Sequence, residues 1–207
     1  MKYVDPPFNM GESLKGTDAD GNIINAQWEG AVFEFPDVDR TPALRGGKSR
    51  RSGSVVRCVC VRNTSGGNLV VAKKVIIFDL TPVESSTSQQ LFGLVSGQGS
   101  AVNQLGGVGD NDMTGIASAG VADDDLFWLI IGGPCECSIK TSETPIVGEL
   151  LTASATAGAL ITATFGSDEI GMNSAASAIA RATVAETIGS SNPATQVHVI
   201  SGGNCGL

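Results

Sequence analysis

The residue type in this chain best suited to chemistry is cysteine, which occurs five times. The cysteines form two Cys-x-Cys pairs, Cys58/Cys60 and Cys135/Cys137, and Cys205 stands apart. Residues i and i+2 of a strand share a face, so each pair would place two thiols on one side. Four thiolates could bind zinc, or pairs could oxidise, but cysteine in an apolar strand commonly packs as a small hydrophobe. We favour packing, because the count is odd and residues 1–30 do not read as a secretory signal. We therefore predict no metal site and no cofactor.

Two other groups of polar residues could act in catalysis. His198 is the single histidine, and no motif places an activated serine or cysteine beside it. Its neighbours Val197 and Val199 alternate with it, so we expect its side chain to face water or a polar niche. The three carboxylates at 123–125 lie between apolar segments and favour a charged turn. No catalytic residues are predicted, and we do not expect an enzyme.

Two loop motifs share letters with ligand-binding motifs. Residues 18–29 place Asp18 and Glu29 at the first and last positions of a calcium loop, but Ile23 replaces the required glycine. Residues 46–49 read GGKS, but residue 42 is proline, so the phosphate-loop spacing is missing. Turns are the better interpretation of both motifs.

Composition favours a chain of many short strands. Glycine is abundant at 27 residues, only 16% of residues are charged, and small and β-branched residues fill much of the rest. No apolar run approaches the length of a membrane span, and the start does not resemble a signal peptide. These features predict a soluble, non-exported, mainly β protein with no membrane partner: an antiparallel β-barrel or sandwich body at residues 53–207.

Charge divides the chain into two parts. Residues 1–81 carry 11 basic and 9 acidic side chains, whereas residues 82–207 carry 2 basic and 12 acidic side chains. An acidic body would repel phosphate, so a nucleic-acid partner is not expected. The basic section suits an acidic protein surface, and the alternative interpretation is that acidic charge serves solubility alone.

Residues 1–52 differ from the rest and are predicted to be an extended N-terminal arm with a basic loop. Aromatic residues occur there without strand or helix periodicity, a pattern typical of segments that lie over another surface. The residues that we expect to bind a partner are Trp28, Phe33, Phe35, Arg45, Lys48, Arg50 and Arg51.

Apolar patterning predicts the strands of the body. Residues 55–62 and 69–78 should form a hairpin around the turn at 63–68, with an interruption near Lys73 and Lys74. Residues 83–112 are polar and rich in glycine, and we interpret the glycine-rich segments at 96–100 (SGQGS) and 106–112 (GGVGDND) as loops that follow a short apolar stretch at 91–95. Further strands are predicted at residues 135–140, 150–153, 159–165, 178–186 and 196–200.

Residues 114–131 are the stretch around which we expect the body to be built. The pattern predicts a strand at 114–119, an acidic turn at 121–125 and a strand at 126–131. Leu126, Trp128 and Ile130 would share a face, so Trp128 is expected in the core rather than on a binding platform. Gly132-Gly133-Pro134 should then end the strand.

Residues 116–132 resemble a stretch of tailed-phage virion proteins, the capsid decoration (cement) proteins and related head proteins. The shared features are a small-residue strand, an acidic turn and an apolar strand with a tryptophan. A similar order follows in Gly148–Ala153, Ala157–Leu160 and Ile179–Ala182. The similarity covers roughly residues 114–200, and the cysteine pairs depart from it.

The resemblance implies a protein of the virion exterior, made in the host cytoplasm, that assembles as a homotrimer. It would stabilise the shell by binding between major capsid protein subunits. Two alternatives remain open: another virion component, such as a head fibre, tail or baseplate protein, and a module that binds sugars or cell surfaces.

Overall fold

The architecture was analysed in a computed structural model, which describes residues 30–36, 38–39, 48–49, 55–71, 73–78, 94–98, 106–109, 120–123, 125–156, 158–163, 178–189 and 194–200. The regular structure in these residues is β-strand, with no helix among them, so the predicted mainly β fold is confirmed. Within the same ranges there is no helix long and apolar enough to cross a membrane.

The described residues form twelve strands. Their bounds are β1 Val32–Pro36, β2 Val38–Asp39, β3 Lys48–Ser49, β4 Val55–Asn63, β5 Val75–Phe78, β6 Leu94–Gln98, β7 Gly106–Gly109, β8 Leu126–Ser138, β9 Leu150–Ala153, β10 Leu160–Thr162, β11 Ala180–Ala182 and β12 Ala194–Val199.

Ten strands belong to one sheet in the order β1-β4-β6-β5-β7-β8-β12-β11-β9-β10, and β2 pairs with β3 separately. The pairings are antiparallel apart from β4 with β6, and β4 also pairs directly with β8. Because β1 and β10 remain the ends of this order, the described strands do not close as a whole into a barrel.

The β4–β8 pair lies at the centre of the core and is covered on both faces. Leu126, Trp128 and Ile130 pack into one apolar cluster together with the cysteine pairs, while Phe127 and Leu129 pack into a second cluster on the other face. Burial on both faces explains why β8 begins with an unbroken apolar run instead of an alternating pattern. Trp128 is only 3% exposed, as predicted for a core residue.

β8 also corrects the predicted break at residues 132–134. The strand runs through Gly132, Gly133 and Pro134, and its second half pairs with β12, with Gly133 opposite Val199 and Pro134 opposite His198. Glycine is required because Gly133 has φ of 96° and lies against β4. Here the glycines allow two strands to approach closely; they do not mark a turn.

The predicted hairpin between residues 55–62 and 69–78 is wrong. β5 pairs with β6 and β7, whereas β4 pairs with β1, β6 and β8. The interruption predicted near Lys73 is present: Lys73 has φ of 58°, and β5 begins only at Val75. Leu69 instead forms an isolated bridge with Val121.

Three further strand predictions change. The segments 96–100 and 106–112, predicted as loops, contribute to strands: β6 (Leu94–Gln98) joins the end of the apolar stretch to the first segment, β7 (Gly106–Gly109) lies in the second, and both pair with β5. The strand predicted over residues 178–186 is shorter in the structure and is β11, Ala180–Ala182. The strand predicted over residues 159–165 is likewise shorter and is β10, Leu160–Thr162. The strand predicted at residues 114–119 lies outside the described residues.

The second half of the sheet is a compact antiparallel unit. β12 pairs with β8 and β11, β11 pairs with β9, and β9 pairs with β10. Leu151, Leu160, Ile179 and Val197 of this half enter the same cluster as Trp128. This shared cluster joins the two halves into one core.

Candidate interaction surface

A positively charged connection leaves one end of the sheet. Pro36 at the end of β1 lies opposite Val55 at the start of β4, so residues 37–54 depart from and return to the same place. Within them β2 pairs with β3, Asp39 lying opposite Lys48. We call residues 37–54 the basic hairpin, since they carry five basic and two acidic side chains.

The predicted binding residues fall into three groups. Lys48 lies in β3 of the basic hairpin, and Phe33 and Phe35 lie in β1, which is paired with β4. Residues 32–36 therefore belong to the sheet, although the arm was predicted to reach residue 52. The remaining four residues, Trp28, Arg45, Arg50 and Arg51, lie outside the described residues.

Phe33 has a role inside the sheet. Its ring contacts the ring of Trp128 edge to face, with centroids 5.2 Å apart and an interplanar angle of 75°. Phe33 is half-buried and packs on the cluster that contains Trp128. This contact stabilises the docking of β1 on the core.

On the opposite face, four residues of β1 and of the start of β4 are exposed: Val32, Glu34, Val55 and Arg57. We call them the outer β1–β4 face. Val59, which lies opposite Val32 on β4, is buried in the core. Val32 and Val55 are each 45% exposed there, on either side of an ion pair in which Arg57 Nε lies 3.8 Å from Glu34 Oε1. Val32 and Val55 are separated by about four residues of strand, roughly 13 Å. The outer β1–β4 face therefore has apolar side chains at both ends and charges between them.

A second exposed apolar surface lies on the turn before β9. Ile146 and Val147 are 61% and 65% exposed, the highest values among the large apolar side chains described. We call residues 145–149 the apolar turn. The turn is closed by hydrogen bonds: Glu149 N donates to Ile146 O at 3.1 Å, and Ile146 N donates to Glu149 Oε2 at 2.9 Å.

The apolar turn is also fixed to β11 and to the segment that follows it. Gly148 N donates to Ala182 O at 2.9 Å, Arg181 Nη1 donates to Gly148 O at 3.0 Å, and Glu186 N donates to Pro145 O at 3.3 Å. Val184, 36% exposed, lies in the segment between these attachments. The exposed side chains are therefore presented on a braced scaffold.

Sequence reasoning did not identify the apolar turn. The signal available was two adjacent β-branched residues, Ile146 and Val147, between Pro145 and Gly148. In a polar chain such residues usually indicate a strand, and only the hydrogen bonds of the structure show that they project from a turn.

The two cysteine pairs pack in the core, as predicted. Cys58, Cys60, Cys135 and Cys137 are buried thiols with no disulfide between them. Burial raises the pKa of the Cys137 thiol, and the charge of Lys74 offsets only part of this rise. A neutral thiol is a poor nucleophile and metal ligand. In the described ranges, no three His, Cys, Asp or Glu side chains come together as a metal site.

The other polar residues considered for chemistry have structural contacts. His198 is half-buried while Val197 and Val199 are buried, so its side chain points away from the core, as predicted. Asp123 Oδ1 accepts a hydrogen bond from Gly66 N at 2.9 Å, and Asp125 N donates to Ala122 O at 3.1 Å. The acidic turn therefore holds the neighbouring loop in place.

Comparison of the chain with protein-family models, with curated proteins and with solved structures finds no match in any of the three. Arguments about function therefore rest on the two exposed surfaces and on the distribution of charge.

Proposed function

We propose that this chain is a structural protein of a phage virion, which decorates and stabilises the capsid by binding between major capsid protein subunits on the outer shell. It acts as a homotrimer and performs no catalysis. The observation that carries the proposal is the basic hairpin: a segment of net positive charge attached at both ends to a rigid sheet, in a chain whose remainder is strongly acidic.

The attachment of the hairpin makes it suitable for binding. β1 and β4 are paired along five residue positions, and β4 is buried against β8. A charged segment held by such a scaffold loses less conformational entropy on binding than a free tail would. Repetition of the same contact around a shell then turns modest affinities into strong attachment.

Four residues are assigned to the capsid contact by their charge: Arg45, Lys48, Arg50 and Arg51. All four side chains are positively charged, so an acidic capsid surface is the expected partner. Trp28, which directly precedes the described strands, is the proposed apolar anchor. Phe33 contributes indirectly, by docking β1 on Trp128.

The burial of Trp128 argues against the sugar-binding alternative. A sugar-binding module needs an exposed aromatic platform, and Trp128 is 3% exposed. A fibre, tail or baseplate role differs from capsid decoration in location and copy number. Cryo-electron microscopy of virions would separate these roles, since decoration places the chain at symmetry sites over the whole shell.

The test is co-sedimentation of the purified chain with undecorated capsids assembled from the major capsid protein of the same genome. Changing Arg45, Lys48, Arg50 and Arg51 to glutamine should weaken binding about tenfold or more, since each exposed pair contributes roughly 0.2–1 kcal/mol. A control with the three arginines changed to lysine keeps the charge and should retain most of the binding. Absence of wild-type binding, or equal binding by the glutamine variant, would refute the proposal.

A further inference from the structure

The apolar turn is built to contact another protein surface. Ile146 and Val147 are its two most exposed side chains. The backbone that carries them is held by hydrogen bonds within the turn, to β11 and to the segment after β11. A preorganised apolar projection loses little entropy when it docks, which is the property of energetically dominant interface residues. Neither residue packs on the described core.

The outer β1–β4 face offers apolar contact to such a projection. It is formed by two paired strands, with Val32 and Val55 on either side of the Glu34–Arg57 pair. The basic hairpin begins directly at the end of this face, between Pro36 and Val55.

Charge decides which partner suits the two surfaces. Residues 82–207, which include the apolar turn, have a net charge of −10, whereas residues 37–54 have a net charge of +3. Two apolar turns facing each other would bring two acidic bodies together. Contact between the turn of one copy and the outer β1–β4 face of another places the acidic body beside the basic hairpin.

We propose that copies of this chain associate head to tail, with the apolar turn of one copy docked on the outer β1–β4 face of the next. Such a contact joins two different surfaces and closes into a ring when the rotation between copies permits it. The inference concerns the trimer of the proposed function. Its test uses the purified chain without capsids, so either proposal can fail while the other holds.

The test measures sedimentation velocity over a range of concentrations up to about 100 μM. The wild type should sediment as a closed oligomer. A turn variant, Ile146→Asp with Val147→Asp, and a face variant, Val32→Glu with Val55→Glu, should each sediment as a monomer. An equimolar mixture of the two variants should form a dimer, because one intact turn and one intact face remain.

Two control variants separate lost contact from altered charge. Ala155→Asp with Thr156→Asp adds the same charge on a different exposed turn, and Val70→Glu changes an exposed valine outside both surfaces. Both controls should keep the wild-type mass. A milder turn variant carries Ile146→Ser with Val147→Ser. It should unfold at the wild-type temperature and should also associate more weakly than the wild type.

Three results would overturn the inference. The first is a monomeric wild type at all concentrations, and the second is wild-type association by either variant. The third is an equimolar mixture of the turn variant and the face variant that stays monomeric although both variants unfold at the wild-type temperature. An intact turn and an intact face would then fail to bind each other, so the contact in the wild type would not join these two surfaces.

Discussion

At Gly133, β8 passes close to the backbone of β4. A Cβ atom at this position would lie 2.3 Å from Val55 O and 3.0 Å from Val56 Cα, and the φ of 96° is itself unfavourable for other residues. The contact involves backbone atoms on both sides, so it cannot be relieved by a side-chain rotation. The close approach of β8 to the start of β4 thus requires that residue 133 has no side chain.

We therefore expect Gly133→Ala to lower the free energy of unfolding by about 3 kcal/mol or more. Gly66→Ala is the control, since Gly66 also has positive φ but has no atom within 4 Å of the added Cβ. It should cost only the backbone strain, about 1 kcal/mol. Urea unfolding measures both, and equal losses would show that the close approach to Val55 is unimportant.

The buried thiol of Cys137 should make the free energy of unfolding fall at alkaline pH. Burial raises the pKa of its thiol, so the folded chain keeps a proton that the unfolded chain releases above about pH 8.5. The unfolded state then binds fewer protons than the folded state, and stability must fall as pH rises. Below the pKa of the unfolded thiol this contribution is fully present.

The measurement is urea unfolding of the wild type and Cys137→Ala between pH 7 and pH 10. The difference in stability between them should shrink above about pH 8.5, with a limiting slope of about 1.4 kcal/mol per pH unit. A difference that stays constant with pH would contradict the assigned burial of the thiol.

At the scale of elements, an aromatic contact docks β1 on the core in addition to the pairing of β1 with β4. Phe33 is half-buried against Trp128, whereas Glu34 beside it is exposed. Phe33→Ala should destabilise the protein by about 2 kcal/mol, less than for a fully buried ring. Trp128 fluorescence, measured in a Trp28→Phe background, should shift to the red as the indole gains water.

Glu34→Ala serves as the control for this element, because it changes an adjacent exposed residue of β1. Its effect should stay within about 0.5 kcal/mol. If Phe33→Ala changed neither the stability nor the emission of Trp128, β1 would not be docked by this contact.

Asn63 joins the loop after β4 to the loop before β8. Its buried Nδ2 donates to the carbonyl oxygens of Gly67, Val121 and Ala122 at 2.8–3.1 Å, and its Oδ1 accepts from Ser65 N at 3.0 Å. No backbone group could reach these carbonyls simultaneously. The side chain therefore sets the separation of the two loops.

Asn63→Ala leaves these carbonyls without this donor and should cost about 3 kcal/mol. Ser65→Ala, which removes an exposed hydroxyl bonded to Gly67 O, should change stability by less than about 0.5 kcal/mol. Thermal or urea unfolding distinguishes them, and a small effect of Asn63→Ala would mean that water replaces the amide.

At the scale of the whole molecule, the orientation of association should be visible in its salt dependence. Each copy carries a net charge of −8, so copies that meet in random orientations repel each other. Salt screens this repulsion, and association without a preferred orientation would therefore strengthen in salt. Head-to-tail contact places the basic hairpin near an acidic body and should become weaker in salt.

We expect the association constant of the purified chain to fall between about 50 mM and 500 mM NaCl, as the Debye length shortens from roughly 14 Å to 4 Å. Sedimentation equilibrium at both salt concentrations gives the two constants. An association that strengthens with salt would mean that repulsion dominates, which would contradict the proposed orientation.

The sequence alone determined the β class, the core position of Trp128, the outward direction of His198 and the packing of the cysteine pairs. These follow from composition and from the two-residue alternation of a strand, which are local properties. The interruption at Lys73 was predicted for the same reason. The segregation of charge was likewise available from the sequence.

Tertiary structure decided which strands pair and which surfaces remain exposed. β5 pairs with β6 and β7 rather than with β4, and glycine-rich segments became strands because their backbones complete hydrogen bonds to β5. Gly133 continues a strand because its neighbour in space is Val55, a relation with no sequence signal. Ile146 and Val147 are exposed because Arg181 and Glu149 brace their turn. Contacts between residues far apart in sequence depend on long-range packing, which local patterns do not specify.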